Sequence, residues 1–279
     1  MLFGATLSGF RTLTGFAAAN PMKSDYVNIV DTHAHLCDPV FDVDRADVLA
    51  RAAAAGVTAV IAVSETLADA RRNLALAANH ALLRPAAGLY PKHLDLAQAD
   101  ALVDLIRQER DQFCAIGEVG LDHWVIKEDA ERARQRDIFG RFIDLAMELD
   151  LPLNVHSRSA GRQAIALLLE RGARRVQLHA FDGKAATARP AVEAGYFFSI
   201  PPSVIRSPQK QKLVKQLPLA CLLLETDSPV LGAASTERNE PANVILALQA
   251  IAALKNIPCE EVLEAVVANT RRLYRDLRL

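Results

Sequence analysis

The residues of this chain best suited to chemistry are histidines and carboxylates, and they recur at the ends of short apolar runs. His33 and His35 form an HxH pair closing VNIVDTHAH, Glu118 sits in CAIGEVGL, and His156, His179 and Asp227 close LPLNVHS, RVQLHAF and LLLETDS. In an extended strand, residues i and i+2 share a face, so the two histidines of the first run point the same way. Imidazole with carboxylate suits zinc, manganese or iron, and a purely magnesium- or calcium-type oxygen cage would need more carboxylates. Six such ligands exceed one tetrahedral ion. Two divalent ions sharing one carboxylate is the economical arrangement, with magnesium, manganese and zinc the ions to try. Four of the seven histidines fall at run ends, while His80, His93 and His123 do not, and a chance convergence is a poor account of that pattern.

For these groups to meet, the runs must be neighbouring strands. Eight runs carry strand character, at 27–35, 57–65, 83–90, 114–121, 151–157, 175–181, 195–202 and 222–228. Between them lie amphipathic stretches such as RADVLARAAAAG, ALVDLIRQER and AIALLLERG, several stopped by glycine (Gly56, Gly172, Gly195). Strand and helix in strict alternation means parallel pairing, and eight units in this length predict an α/β fold of the closed (β/α)8 TIM-barrel type rather than an open sheet. No GxGxxG or GxxxxGK[ST] follows a strand, so nothing argues for a nucleotide-binding turn. In such barrels the C-terminal strand ends form the active face, which is where every candidate ligand falls. One domain is expected over residues 26–279, its last 40 residues supplying the eighth helix and one or two more to cover the bottom or side.

Composition agrees with a soluble globular protein. Of 279 residues, 51% are hydrophobic and 23% charged, with 32 basic against 33 acidic side chains, which excludes disorder, coiled coil and collagen. A net charge of −1 gives no global field toward nucleic acid or membrane, so any such contact must be local. The cysteines Cys37, Cys114, Cys221 and Cys259 are isolated, the pattern of reduced thiols in a cytoplasmic protein. Residues 1–25 stand apart: Met1 to Ser24 holds no acid, and the segment reads as a disordered extension, with Met22 a candidate start and organelle targeting the weaker reading.

Beneath the ligands lies a second polar layer. Two residues back from His33, Glu118, His156, His179 and Asp227 stand Asp31, Ile116, Asn154, Gln177 and Glu225. Barrel interiors are usually branched and apolar, so Asp31, Asn154, Gln177 and Glu225 are expected to orient the ligands from below. The loops after the fifth to seventh strands are basic. Residues 151–169 and 194–224 hold no acid but carry Arg158, Arg162, Arg206, Lys210, Lys212 and Lys215. Arg158, two residues past His156, is the candidate phosphate clamp, whereas the three lysines read as a solvated helix face. Trp124, the sole tryptophan, reads either as a rim residue able to stack a terminal base or as a partly buried packing residue. Asp122 and Asp182, just past ligands, read as loop caps or substrate contacts.

Taken together, DTHAHL (31–36), GEVGLD (117–122), NVHSRSAGR (154–162), LHAFDG (178–183), ETDSP (225–229) and NEP (239–241) resemble the signature blocks of the TatD family of metal-dependent deoxyribonucleases. The wording of NVHSRSAGR, AGYFFSIPPSVIRS and QKQKLVKQLPL is most similar to its TatD domain-containing protein 3 subgroup. The resemblance covers nearly everything from about residue 28 onward. It implies a TIM barrel and metal-dependent phosphodiester hydrolysis on DNA, often from an end. It further implies His33, His35 and Asp227 on one metal, His156 and His179 on the other, and Glu118 bridging, with Asp227 and Glu118 as the catalytic carboxylates. One departure stands out: the family's GxHP block reads GLYP here, with Tyr90 at the position of a substrate-reaching histidine and His93 three residues on as a partial substitute. The expected partner is single-stranded or frayed DNA, with RNA also open, and neither a membrane nor an obligate protein partner is expected. The competing reading keeps the metals and makes the substrate a small amide, lactone or aminoacyl ester. A further one makes the barrel a non-enzymatic adaptor, which the full ligand set argues against.

Overall fold

Each of the eight apolar runs becomes a strand. A computed structural model, which describes residues 26–275 and 277, contains β1 (Ile29–Ala34), β2 (Val57–Ala62), β3 (Leu83–Ala87), β4 (Ala115–Gly120), β5 (Leu153–His156), β6 (Val176–Leu178), β7 (Phe197–Ile200) and β8 (Leu222–Leu224). Every strand lies inside its expected run. The extension expected for residues 1–25 falls outside the described residues. All neighbouring strands pair in parallel, in the order β1 to β8. The ring closes just past β8, where Ala34 bridges Ser228, His35 N donates to Ser228 O (2.7 Å), and Asp227 N donates to His33 O (2.8 Å). The fold is therefore a single (β/α)8 TIM barrel.

The connecting segments form α1 (Arg45–Ala54), α2 (Leu67–Ala77), α3 (Leu96–Gln108), α4 (Asp129–Leu149), α5 (Gly161–Glu170), α6 (Ala185–Glu193), α7 (Pro208–Gln216), α8 (Val244–Lys255) and α9 (Cys259–Leu273). Their starts follow local chemistry. Thr66 Oγ1 accepts from Asp69 N, Asp95 from Gln98 N, and Ser207 Oγ from Lys210 N with Pro208 in the first helical turn. The main core lies between the helices and the outer faces of the strands, with Phe41, Phe139, Phe142, Leu102 and Phe198 fully buried there. Each large side chain so buried contributes roughly 1.5–3 kcal/mol. A second cluster fills the lumen: Ala59, Ile61 and Val63 alternate inward from β2, and Leu273, Tyr274 and Leu277 close it from below at the end of α9. The last helix thus covers the barrel bottom.

Alternation breaks in one place that matters. The β4–β5 register shifts between Ile116 and Val119, so Ile116 packs in the outer layer with Val119 while Glu118 faces inward. Ile116 is therefore not beneath Glu118, and the two-residue step fails there because of the shift.

Candidate metal centre

The six expected ligands converge at the C-terminal mouth. His33 comes from β1 and His35 from one residue past it, Glu118 from β4, His156 from the end of β5, His179 from just after β6, and Asp227 from the turn after β8. Glu118 is 2% exposed and turns its two oxygens to two different pairs of rings. Its Oε2 lies 3.8 Å from His33 Nε2 and 3.5 Å from His35 Nε2. Its Oε1 lies 2.7 Å from His156 Nδ1 and 3.1 Å from His179 Nε2. Asp227 Oδ1 joins the first pair, 3.4 Å from His33 Nε2 and 3.3 Å from His35 Nε2. Among the described residues three groups of donor atoms are each close enough to hold an ion: His33–His35–Glu118, Glu118–His156–His179 and, on the lumen side, His33–His179–Glu225.

The ring orientations come from partners on the far side. His33 Nδ1 donates to Asn154 Oδ1 (2.8 Å), whose own Nδ2 is committed to Thr32 O (2.8 Å). That fixes the His33 proton on Nδ1 and leaves the Nε2 lone pair facing His35 Nε2 at 3.2 Å. His156 is held the other way round: Nε2 donates to Asp122 Oδ2 (3.0 Å), so Nδ1 faces the centre. Asp122 also accepts from Tyr90 Oη (3.3 Å) and from the backbone amides of Trp124 (2.8 Å) and Val125 (2.9 Å). The loop cap and the imidazole clamp are thus one carboxylate.

Of the other residues expected beneath the ligands, Glu225 Oε2 is 3.6 Å from His179 Nδ1, and its Oε1 accepts from Ala180 N (2.8 Å). Asp31 touches no imidazole; it accepts from the backbone of His33 and Thr226 and from the Thr226 hydroxyl, tying β1 to the turn that carries Asp227. Gln177 also misses the rings. It donates to Thr32 O and Ser199 Oγ and accepts from Tyr274 Oη (2.6 Å), linking the lumen floor to the layer that holds His33.

The electrostatics are those of a site built for cations. Burial opposes protonation of His35, but Asp227, Glu118 and Glu65 outweigh it and push its pKa up to about 9. His179 is raised well above the ordinary value, against its burial, by Glu118 and Glu225, and His156 is raised by Asp122 and Glu118. Burial favours protonation of Glu118 and Asp227, yet the facing imidazoles hold both carboxyls below their usual range. Lone pairs packed this closely need positive charge between them, and divalent cations fit the donor set.

Backbone shape is equally constrained. Ala180, Ser159 and Asp227 adopt left-handed φ of 42°, 56° and 56°, each at or next to a site residue. Each is pinned: Ala180 N by Glu225, Ser159 N by Asp182 Oδ2 (2.9 Å), and Asp227 N by His33 O. Beside Glu118, β4 and β5 run so close that a Cβ on Gly117 would lie 2.6 Å from Asn154 Cβ, and one on Gly120 2.0 Å from His156 O.

Above the ligands opens a cavity of about 440 Å³, lined by His35, Glu65, Tyr90, Glu118, His156, Ser157, Arg158, His179, Ala180, Asp182, Lys210, Asp227, Val230 and Leu231. Arg158 and Tyr90 are on its wall as expected. Trp124 stands at the rim, 59% exposed, with the Arg158 guanidinium 5.0 Å from its ring. His93 is not on this wall; it faces a small cleft with Leu89, Pro91 and Gln135. Two residues have roles the sequence did not reveal. Glu65, after β2, approaches His35 Nδ1 at 4.0 Å and pairs with Lys92 at 2.9 Å. Lys210 is half-buried on the cavity wall, not part of a solvated face; Lys212 and Lys215 are the exposed ones. The pitch of α7 turns position 210 toward the mouth, and its Nζ donates to Ala180 O (2.8 Å).

The sequence profile of the family described as TatD related DNase matches residues 30–275. The chain is 44% identical over 269 residues to deoxyribonuclease TATDN3 of Homo sapiens, covering 92% of this chain and 98% of that protein. It is 31% identical over 255 residues to the uncharacterized metal-dependent hydrolase YabD of Bacillus subtilis, covering 88% and 99%. Among solved structures, the TatD homolog YjjV of Escherichia coli superposes with a TM-score of 0.82 at 30% identity, covering 88% of this chain and 98% of that one.

Proposed function

The chain belongs to the TatD-related DNase family of metal-dependent hydrolases, and we propose that it hydrolyses phosphodiester bonds at single-stranded or frayed DNA ends, with His33, His35, Asp227, Glu118, His156 and His179 as the residues that would hold two divalent ions. The observation that carries this reading is the division of labour on Glu118, whose Oε2 serves the His33–His35–Asp227 side while Oε1 serves His156 and His179. When bound there, magnesium, manganese or zinc supplies Lewis acidity, activating water and withdrawing charge from phosphate oxygens.

The protein's own groups do the rest. Asn154 and Asp122 keep the His33 and His156 lone pairs aimed inward before substrate arrives. Asp227, on the cavity wall and ionised by its histidine neighbours, orients the attacking water and takes its proton. Arg158 offers a planar fork to a phosphate, and Trp124 beside it offers a stacking face for a base. Tyr90 holds its hydroxyl proton toward Asp122 and presents the phenolic oxygen to the cavity.

The test is hydrolysis of 5′- and 3′-labelled single-stranded DNA by metal-stripped protein re-supplied with Mg²⁺, Mn²⁺ or Zn²⁺, beside Glu118→Ala. Laddering from one end that needs metal and vanishes in Glu118→Ala is the expected outcome. No cleavage by protein that binds two ions would move the substrate to a carbonyl compound.

A further inference from the structure

Lys210 stands on the cavity wall without a part in the scheme above. It lies in the first turn of α7, fixed there by the Ser207 cap and Pro208, and its side chain runs inward while Lys212 and Lys215 stay at the surface. One of its three ammonium donors is given to Ala180 O (2.8 Å), the carbonyl of the left-handed residue after His179. Burial disfavours its charge, whereas the nearby carboxylates of Glu225, Asp227 and Asp182 support it. It is therefore an ammonium donor set into the cavity wall beside the His179–Ala180 peptide. The other wall cation, Arg158, is turned toward the rim, where its guanidinium lies over Trp124. The two positive groups thus differ in depth and neighbours, and a strand entering past Trp124 would meet them in succession.

We infer that Lys210 binds a non-bridging oxygen of the phosphodiester being cleaved, while Arg158 with Trp124 holds the adjoining nucleotide at the rim. The inference rests on the phosphodiesterase reading. An ammonium suits the inner position because it is a compact point charge that can keep one bond to Ala180 O while turning another hydrogen to substrate. A guanidinium suits the rim because it can stack and fork at once.

The experiment uses the full chain, metal-loaded, with Lys210→Met and Lys210→Arg. Three quantities are read: bound metal per chain, KM and kcat on single-stranded DNA, and the affinity for a phosphorothioate-linked oligonucleotide as a function of salt. Expected for Lys210→Met are unchanged metal content, oligonucleotide affinity lower by about ten- to a hundredfold, and a salt slope shallower by about 0.7, the value of one lost single-strand phosphate contact. Lys210→Arg restores the slope. Wild-type metal content with an unaltered KM, affinity and slope in Lys210→Met overturns the inference. So does a loss of metal with an unaltered slope, which would make Lys210 only a strut for the His179–Ala180 peptide. If the wild-type protein cleaves no DNA with any of the three metals, the phosphodiesterase reading itself fails, a result that no Lys210 variant can mimic.

Discussion

Exchanging Asp122 for asparagine should harm metal binding more than deleting its side chain altogether. Asp122 Oδ1 accepts the amides of Trp124 and Val125, and Oδ2 accepts His156 Nε2 and the Tyr90 hydroxyl. In Asp122→Asn the amide oxygen keeps the two backbone bonds, so the NH2 faces His156. A donor now meets a donor. The imidazole proton moves to Nδ1, where it bonds Glu118 Oε1 comfortably but occupies the lone pair meant for a cation. The metal-free protein should then keep nearly its full stability while the His156–His179 side loses about 10–100-fold in affinity, or about 1.4–2.8 kcal/mol. In Asp122→Ala, water can still accept from Nε2 and the tautomer survives. That variant should lose metal affinity by less than tenfold and instead lose about 3 kcal/mol of fold stability as the amides and ring are left without their carboxylate. Competitive titration of metal-stripped protein with a chromophoric chelator would separate the two proposed sites, the His33–His35 side serving as internal reference, and imidazole ¹⁵N shifts report the tautomer. Equal loss in both variants, or a larger metal loss in the alanine variant, would refute the reasoning.

Other outcomes are equally definite. Because Asp227 and Glu118, against burial, push the His35 pKa up to about 9, His35 carries a proton at neutral pH in the metal-free site, and His156 and His179 are shifted in the same direction. Loading should therefore release protons, read from the buffer dependence of calorimetric heats, and affinity should climb as pH rises toward about 9. The sign for folding is opposite: raised histidines stabilise the metal-free protein fully below their ordinary pKa of about 6.5 and lose that contribution as pH passes about 9. Metal-stripped protein should thus melt lower at pH 9 than at pH 6.5; a flat or rising Tm contradicts this. Ala180→Gly should relieve the left-handed strain for a net gain of up to about 1 kcal/mol, while kcat/KM falls because the peptide after His179 loosens; a stability loss above about 1 kcal/mol in denaturant titration would count against it. Tyr274→Phe leaves Gln177 Oε1 buried without its donor and should cost about 1–3 kcal/mol with metal stoichiometry intact.

The fold and the convergence of the six candidate ligands were legible because both repeat. Eight runs with alternating apolar stretches force a parallel ring, and the ring brings the ends of runs together whatever lies between them. Asn154 and Glu225 were readable for the same reason, standing two residues behind a ligand on the same face. What escaped depends on loops folding back. Asp122 looks like a cap from its local sequence and is one, but its second oxygen reaches a histidine 34 residues away. Glu65 and Lys210 carry no periodic signal, since each is aimed by the turn of a loop or short helix over the mouth. Tyr274 reaches Gln177 across 97 residues, from just past the end of a helix whose own pattern gives no hint of the lumen.

The close approach of β4 to β5 bears on how this protein can drift. Of the GEVG stretch, only Glu118 turns donor atoms into the candidate metal centre; Gly117 and Gly120 are needed because Asn154 and the His156 backbone occupy the space a methyl group would take. A saturating mutational scan read by tolerance alone should rank these glycines with the ligands, although they exchange no proton and hold no ion. The signature by which such chains are recognised therefore records two separate necessities, one of donor chemistry and one of interstrand clearance, and a descendant that abandoned catalysis while keeping its barrel would be expected to lose Glu118 long before it lost the glycines on either side.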